Sequence, residues 1–240
     1  MRNAPPVTRP APPLGRRAQA SARLGTTLRS VLLTPVEGFR DAIAVSERRY
    51  DAGVRPGEGL TPYVLSATGG ASLMLLWLKI SGMLGWREAA HADFQWGYVV
   101  FFLFIGVLLG FLSQALWSVL GRKVFGAFDV ATRSRDLRLV WGTSAFPQVG
   151  LLLVLLPLDL FIIGTNVFST DRLTDTVEMA WAAISIAIAL SLAIWSVYLF
   201  VRGVQATSGL DAGRALAATV VAALPPLLFF AMPRLLSGGG

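Results

Sequence analysis

Apolar residues gather along the chain in five long stretches, 62–86, 94–120, 138–163, 178–201 and 213–233, with most of the charge lying outside them. Crossing the hydrocarbon core of a bilayer takes roughly 20 helical residues, and in lipid each backbone amide must bond within its own segment. Strands of a membrane barrel would be about half that length. The pattern therefore predicts an all-α fold, a polytopic membrane bundle of five transmembrane helices over 62–233, with 234–240 as an outer tail.

A different period rules the segment before the first stretch. Val36, Phe39, Ile43 and Tyr50 fall on one helical face, opposite Glu37, Arg40, Asp41, Glu47 and Arg48. The run is too short and too charged to span. It predicts an amphipathic helix over 35–50, lying on the inner leaflet or docked against the mouth of the bundle, within a helix-and-linker region 27–61. Docking onto a soluble partner is the other use of such a face. Thr34-Pro35-Val36-Glu37 marks the start: a hydroxyl at the cap, proline at the first helical position and an acid three residues after the cap form a capping box. Residues 1–26 are basic and proline-rich with few large apolar side chains, so they predict a disordered tail, and they contain no apolar core of a signal peptide.

Composition sharpens this picture. A mean hydropathy of +0.61 with only 15% charged residues is too apolar for a soluble domain of 240 residues. The net charge of +7 would point to nucleic acid in a soluble protein, but here it sorts by side of the membrane. Ten Lys and Arg lie in 1–61, five in 121–138 and two in the hairpin 202–214, against Arg87, Arg172 and Arg234 on the other side. Positive charge stays inside, which places the N-terminus in the cytoplasm and the C-terminus outside. The lipid bilayer, not nucleic acid, is the expected partner. Lysine occurs only at Lys79 and Lys123 in a chain rich in arginine, alanine and glycine, a bias that suggests a bacterial inner membrane. In the hairpin, Gly203, Gly209 and Gly213 are expected to let the chain reverse, Arg202 to end the fourth helix and Asp211 to cap the fifth.

Few residues offer chemistry. Lys79 and Asp159 are the charges inside apolar stretches, and their depths along two outward-running helices differ by only roughly 4 to 5 Å. Either they form an intramembrane ion pair lining a polar site, or each snorkels separately to the headgroups. Pro147 and Pro157 are expected to kink the third helix, and Pro225 and Pro226 the fifth, with Gln148 placed to satisfy a freed carbonyl. Gly106 and Gly110, one turn apart, predict a close helix-packing face, whose partner is an internal helix or a second copy of the chain. Trp77, Trp86, Trp96, Trp117, Trp141 and Trp195 sit near span ends, as interface anchors do. His91 stands without carboxylates at ligand spacing, cysteine is absent, and no phosphate loop or nucleophile set appears. No cofactor, metal or enzymatic activity is expected.

The segment "TPVEGF" before five spans, the proline in "TSAFPQVG" and the close of the fourth span in "WSVYLFVRGVQATSGLDAGRAL" together resemble the Yip1 domain family of small polytopic membrane proteins. The likeness covers about residues 28–224 and rests on Pro35, Phe39, Pro147, Trp195, Tyr198, Leu199, Gly203 and Ala215. It implies a five-helix fold with a cytoplasmic N-terminus and no catalytic centre. Eukaryotic relatives are associated with vesicle traffic and Rab GTPases and carry an Asp-Leu-Tyr-Gly-Pro signature; this chain has only Leu-Leu-Thr-Pro near the equivalent place, so Rab binding does not carry over. The expected function is a scaffold or membrane-organising module with a cytoplasmic partner-binding face. A small transporter using the Lys79 and Asp159 region is the alternative.

Overall fold

The protein's structure, a computed structural model, describes residues 27–51, 60–83, 96–128, 130–164 and 175–221, and every regular element among them is helical. A short α1 (27–33) leads into α2 (Pro35–Asp51), followed by α3 (Leu60–Met83) and α4 (Trp96–Ala127). The next rod is segmented into α5 (Ser134–Ser144), α6 (Phe146–Gly150), a π-helical turn (Leu151–Leu155) and α7 (Leu156–Ile162). Then come α8 (Thr176–Ser208) and α9 (Ala212–Val221). Four of these rods, Thr61–Ile80, Val99–Ala127, Ser134–Ile162 and Thr176–Ser208, are long and apolar enough to cross a membrane. The fifth predicted span is seen only as α9, too short to cross, and the rest of it, with Pro225 and Pro226, lies outside the described residues. So do residues 1–26, Trp86, His91 and the outer tail.

Apart from α5, which carries Arg135, Asp136 and Arg138, the rods are apolar on all sides, as lipid demands and water forbids. On α4 the side chains of Phe101, Phe104, Leu108, Phe111, Leu112 and Leu116 face outward, a belt far larger than a soluble monomer leaves uncovered. The chain is an integral, multi-pass membrane protein.

Because successive rods alternate in direction, one end of the bundle collects Arg122, Lys123, Arg133, Arg135, Arg202 and Arg214. At this basic end α1 and α2 dock. Phe39 is 0% exposed, and it enters a notch made by Gly203 of α8, where an added Cβ would lie 3.1 Å from the Phe39 ring and 2.4 Å from Val140 Cγ1. Val31, Leu137, Leu199 and Val204 complete this core, while Glu37, Arg40 and Asp41 stay exposed. The Thr34 hydroxyl, expected to cap α2, donates back to the Ser30 carbonyl at 3.2 Å. Thr34 is thus a corner between two helices, with Pro35 opening the second. The preceding helix α1 is not legible in the 35–50 periodicity because it is too short to show a period.

Two expectations about helix ends are corrected. The fourth span continues to Ser208, so the reversal narrows to 209–211 and Gly203 lies within the helix as a packing notch. Arg202 accordingly does not end that helix. Its guanidinium stacks over Tyr198, 5.2 Å from the ring centroid, and donates to Gln205 Oε1 at 2.9 Å. The reversal itself depends on Gly209, whose φ of 70° ends α8 in the left-handed region. Gly209→Ala is expected to cost about 1 kcal/mol, read as a lower melting midpoint in detergent. Asp211 caps α9 by accepting from the Arg214 amide at 3.0 Å, and that bond holds its carboxyl below the usual carboxylate range. Its contribution is therefore fully present above the usual carboxylate range and lost as pH falls from that range through the lowered folded value.

The tryptophans divide. Trp77 and Trp195 are exposed, as anchors would be, but Trp117 is buried and stacks on Trp141 at 5.9 Å, with Phe200 edge-on to both. Trp117 is a core residue of the basic end and Trp141 is half-buried against it, because α4 runs on past Trp117 to Ala127 and sets the Phe125 ring edge-on to the Trp117 ring at 6.4 Å.

Candidate functional site

Between α3 and α4 the backbones nearly touch. An added Cβ would lie 2.2 Å from the Gly106 carbonyl oxygen if placed on Gly70, and 2.2 Å from the Ser66 carbonyl oxygen if placed on Gly110. The Ser66 hydroxyl donates across this gap to the Gly110 carbonyl at 2.7 Å. The face carried by Gly106 and Gly110 is therefore occupied by α3 of the same chain.

Prolines set the third rod. Pro147 has no amide to donate to the turn before it, and the rod breaks at Ala145, where the Gln148 amide bonds the Ala145 carbonyl at 3.0 Å. Pro157 has the same defect ten residues on. The turn before it widens to the π register, with the Leu156 amide bonding the Leu151 carbonyl, which makes room for the ring. Gln148, expected to mend a freed carbonyl, reaches another helix: its Nε2 donates to Ser196 Oγ at 3.2 Å, while its own carbonyl accepts from Ser72 Oγ at 2.7 Å.

Beyond the π turn, α7 aims Asp159 into the bundle. Lys79 of α3 meets it, Nζ to Oδ2 at 2.7 Å. The other carboxylate oxygen, Oδ1, accepts from Ser185 Oγ at 2.6 Å and Trp181 Nε1 at 3.0 Å, and the lysine also donates to Ser185 Oγ. Lys79 and Asp159 are each 5% exposed and Ser185 is 0% exposed. Taking either charge into lipid alone costs roughly 2.5 to 3.5 kcal/mol on insertion scales. Here each oxygen of the carboxylate has a donor, and pairing with hydrogen bonds to both members is the condition under which a buried ion pair is tolerated.

Trp181 and Ser185 were not legible as site residues. Their signal is spacing: Trp181, Ser185, Ala189, Leu192 and Ser196 recur every three or four positions along α8 and form its inward stripe. In a hydropathy profile two serines vanish among alanine and isoleucine.

The cluster holds a cation and an anion that neutralise each other, and among the described residues Ser185 is bonded to Lys79 and Asp159 and to no imidazole. Among the described residues no group of three or more His, Cys, Asp or Glu is placed to hold a metal ion. No family model, curated protein or solved structure matches this chain.

Proposed function

We propose that the protein is a non-enzymatic membrane scaffold of the Yip1 kind, in a bacterial inner membrane, with its basic end and N-terminus in the cytoplasm and its C-terminus outside. The observation that carries this reading is the docking of α2: a polar segment outside the apolar rods is clamped to them through Phe39 in the Gly203 notch, leaving Glu37, Arg40 and Asp41 facing out. A rigid charged face at the basic end suits the recruitment of a protein partner, since ordering costs are already met within the fold. The paired, enclosed state of Lys79, Asp159 and Ser185 also favours a structural staple over a solute path.

The second reading, a small transporter or permease subunit, draws on the broken third rod beside a buried charge pair, an arrangement that transporters use at binding sites. The two are separable. Reversing the charge of Glu37 and Asp41 together, both exposed and outside the groove lined by Arg40 and Glu47, is expected to abolish specific copurification of a cytoplasmic partner in mild detergent while the melting midpoint stays unchanged. Solute uptake by reconstituted liposomes that disappears in Asp159→Asn would overturn the scaffold in favour of transport.

A further inference from the structure

At the basic end, a groove of about 290 Å³ opens between α2, residues 131–133, the first turn of α5 and the last turn of α8. Its polar lining is Arg40, Glu47, Thr132, Arg133, Asp136 and Thr207. Several of these groups are incompletely satisfied. The buried Thr132 hydroxyl has no hydrogen-bond partner among the described residues, and neither has Oδ1 of the buried Asp136, which meets Arg135 Nε only at 3.5 Å. Arg133 and Glu47 pair at 2.6 Å across the rim, and Arg40 is exposed beside them. A buried orphan acceptor and an orphan hydroxyl in one recess cost free energy until a ligand or water fills them.

The lining carries both signs of charge within a few side chains. A simple anion would satisfy the arginines and be repelled by Asp136 and Glu47, and a simple cation the reverse. A ligand with a phosphate and an ammonium joined by a short linker answers both. The depth of the groove says where such a ligand resides: the apolar stretches begin at 138 in the third rod and stop at 201 in α8, so the recess, lined by Thr132, Arg133, Asp136 and Thr207 just beyond them, lies at the level of lipid headgroups. We infer that this groove binds the phosphoethanolamine headgroup of a membrane lipid, its phosphate held by Arg40, Arg133 and the Thr132 hydroxyl and its ammonium by Asp136 and Glu47. Primary ammonium is required because the Asp136 oxygen needs an N–H donor, which a trimethylated headgroup lacks. This inference stands whether the protein is a scaffold or a transporter.

Native mass spectrometry of the full chain in detergent tests it, with phosphatidylethanolamine, phosphatidylcholine and phosphatidylglycerol of identical acyl chains. The wild type is expected to retain the ethanolamine lipid roughly tenfold over the other two, the factor that one charge-assisted hydrogen bond supplies. Arg40→Gln, at an exposed position, is expected to lower its retention severalfold, and Asp136→Asn to erase the preference over choline. Should Asp136→Asn fail to fold, Glu47→Gln carries the same test from the rim. Equal retention of ethanolamine and choline lipids by the wild type overturns the inference, as does a preference that survives Arg40→Gln and both acid variants. Soluble O-phosphoethanolamine is the other source of this chemistry: if it binds saturably while the wild type shows no lipid preference, the lipid assignment is overturned in favour of the free zwitterion.

Discussion

Lys79→Ala is expected to destabilise the bundle by about 3 to 5 kcal/mol, the largest loss from any single truncation in this fold. The cost comes less from the 2.7 Å contact than from what remains, an Asp159 carboxylate enclosed at 5% exposure with its counter-ion gone. Ser185 and Trp181 still donate to Oδ1, but hydrogen bonds from neutral groups do not replace a cation. Asp159→Ala is expected to be milder, because a lysine with a long stem can seek the nearby headgroups once released. The exchange Lys79→Asp with Asp159→Lys separates pairing from two independent losses. Unfolding in mixed detergent micelles should show the exchanged protein recovering at least half of the stability lost by the worse single variant. Without any recovery, the two charges act separately and the staple reading fails. A paired change to leucine at both positions is expected to lie close to the wild type, since replacing a whole buried ion pair by apolar side chains is commonly neutral or better.

Gly70→Val is expected to cost about 3 kcal/mol, and in a bundle of this size to lower expression as well. The reason is that nothing flexible surrounds the site. The atoms an added Cβ meets are the Gly106 carbonyl oxygen at 2.2 Å and the Gly110 backbone at 2.7 Å, so α3 and α4 have to separate along their length. Separation also stretches the Ser66 hydrogen bond to the Gly110 carbonyl, leaving a hydroxyl unpaired inside the membrane. Gly126→Ala supplies the control: it lies in the same α4 helix, a Cβ there meets nothing within 4 Å, and the substitution should stabilise by up to about 1 kcal/mol through helix propensity. Thermal melts of the two variants in the same detergent check the contrast. A Gly70→Val protein that melts with the wild type would refute the close approach.

Sequence patterning reached the rods and failed at their ends, for a physical reason. The apolar stretches 94–120 and 178–201 stop where polar residues begin, yet α4 and α8 run on to Ala127 and Ser208, because backbone hydrogen bonding continues into the headgroup zone after hydropathy has fallen. The first charged residue past a span therefore marks the edge of the oil, not the end of the helix. Lys79 and Asp159 were visible because a charge inside an apolar run is conspicuous whatever surrounds it. Trp181 and Ser185 were not, since their meaning depends on which side of α8 faces inward, and that is fixed by contacts with rods distant in sequence. Gly203 was visible but misassigned. A glycine near a turn looks like part of the turn, and only the Phe39 ring, packed from more than 160 positions earlier, shows it to be a socket.

The pairing of Lys79 with Asp159 also constrains how the protein is made. The two residues are 80 positions apart, so at ribosomal speeds of about 5 to 20 residues per second the lysine waits roughly 4 to 16 seconds for its acid to be synthesised. During that interval the first rod has to enter the bilayer with an uncompensated ammonium, sheltered by the insertion machinery or with its side chain stretched toward the far surface. Release into lipid before the third rod arrives would strand it, which makes the speed of translation between the two positions a determinant of yield.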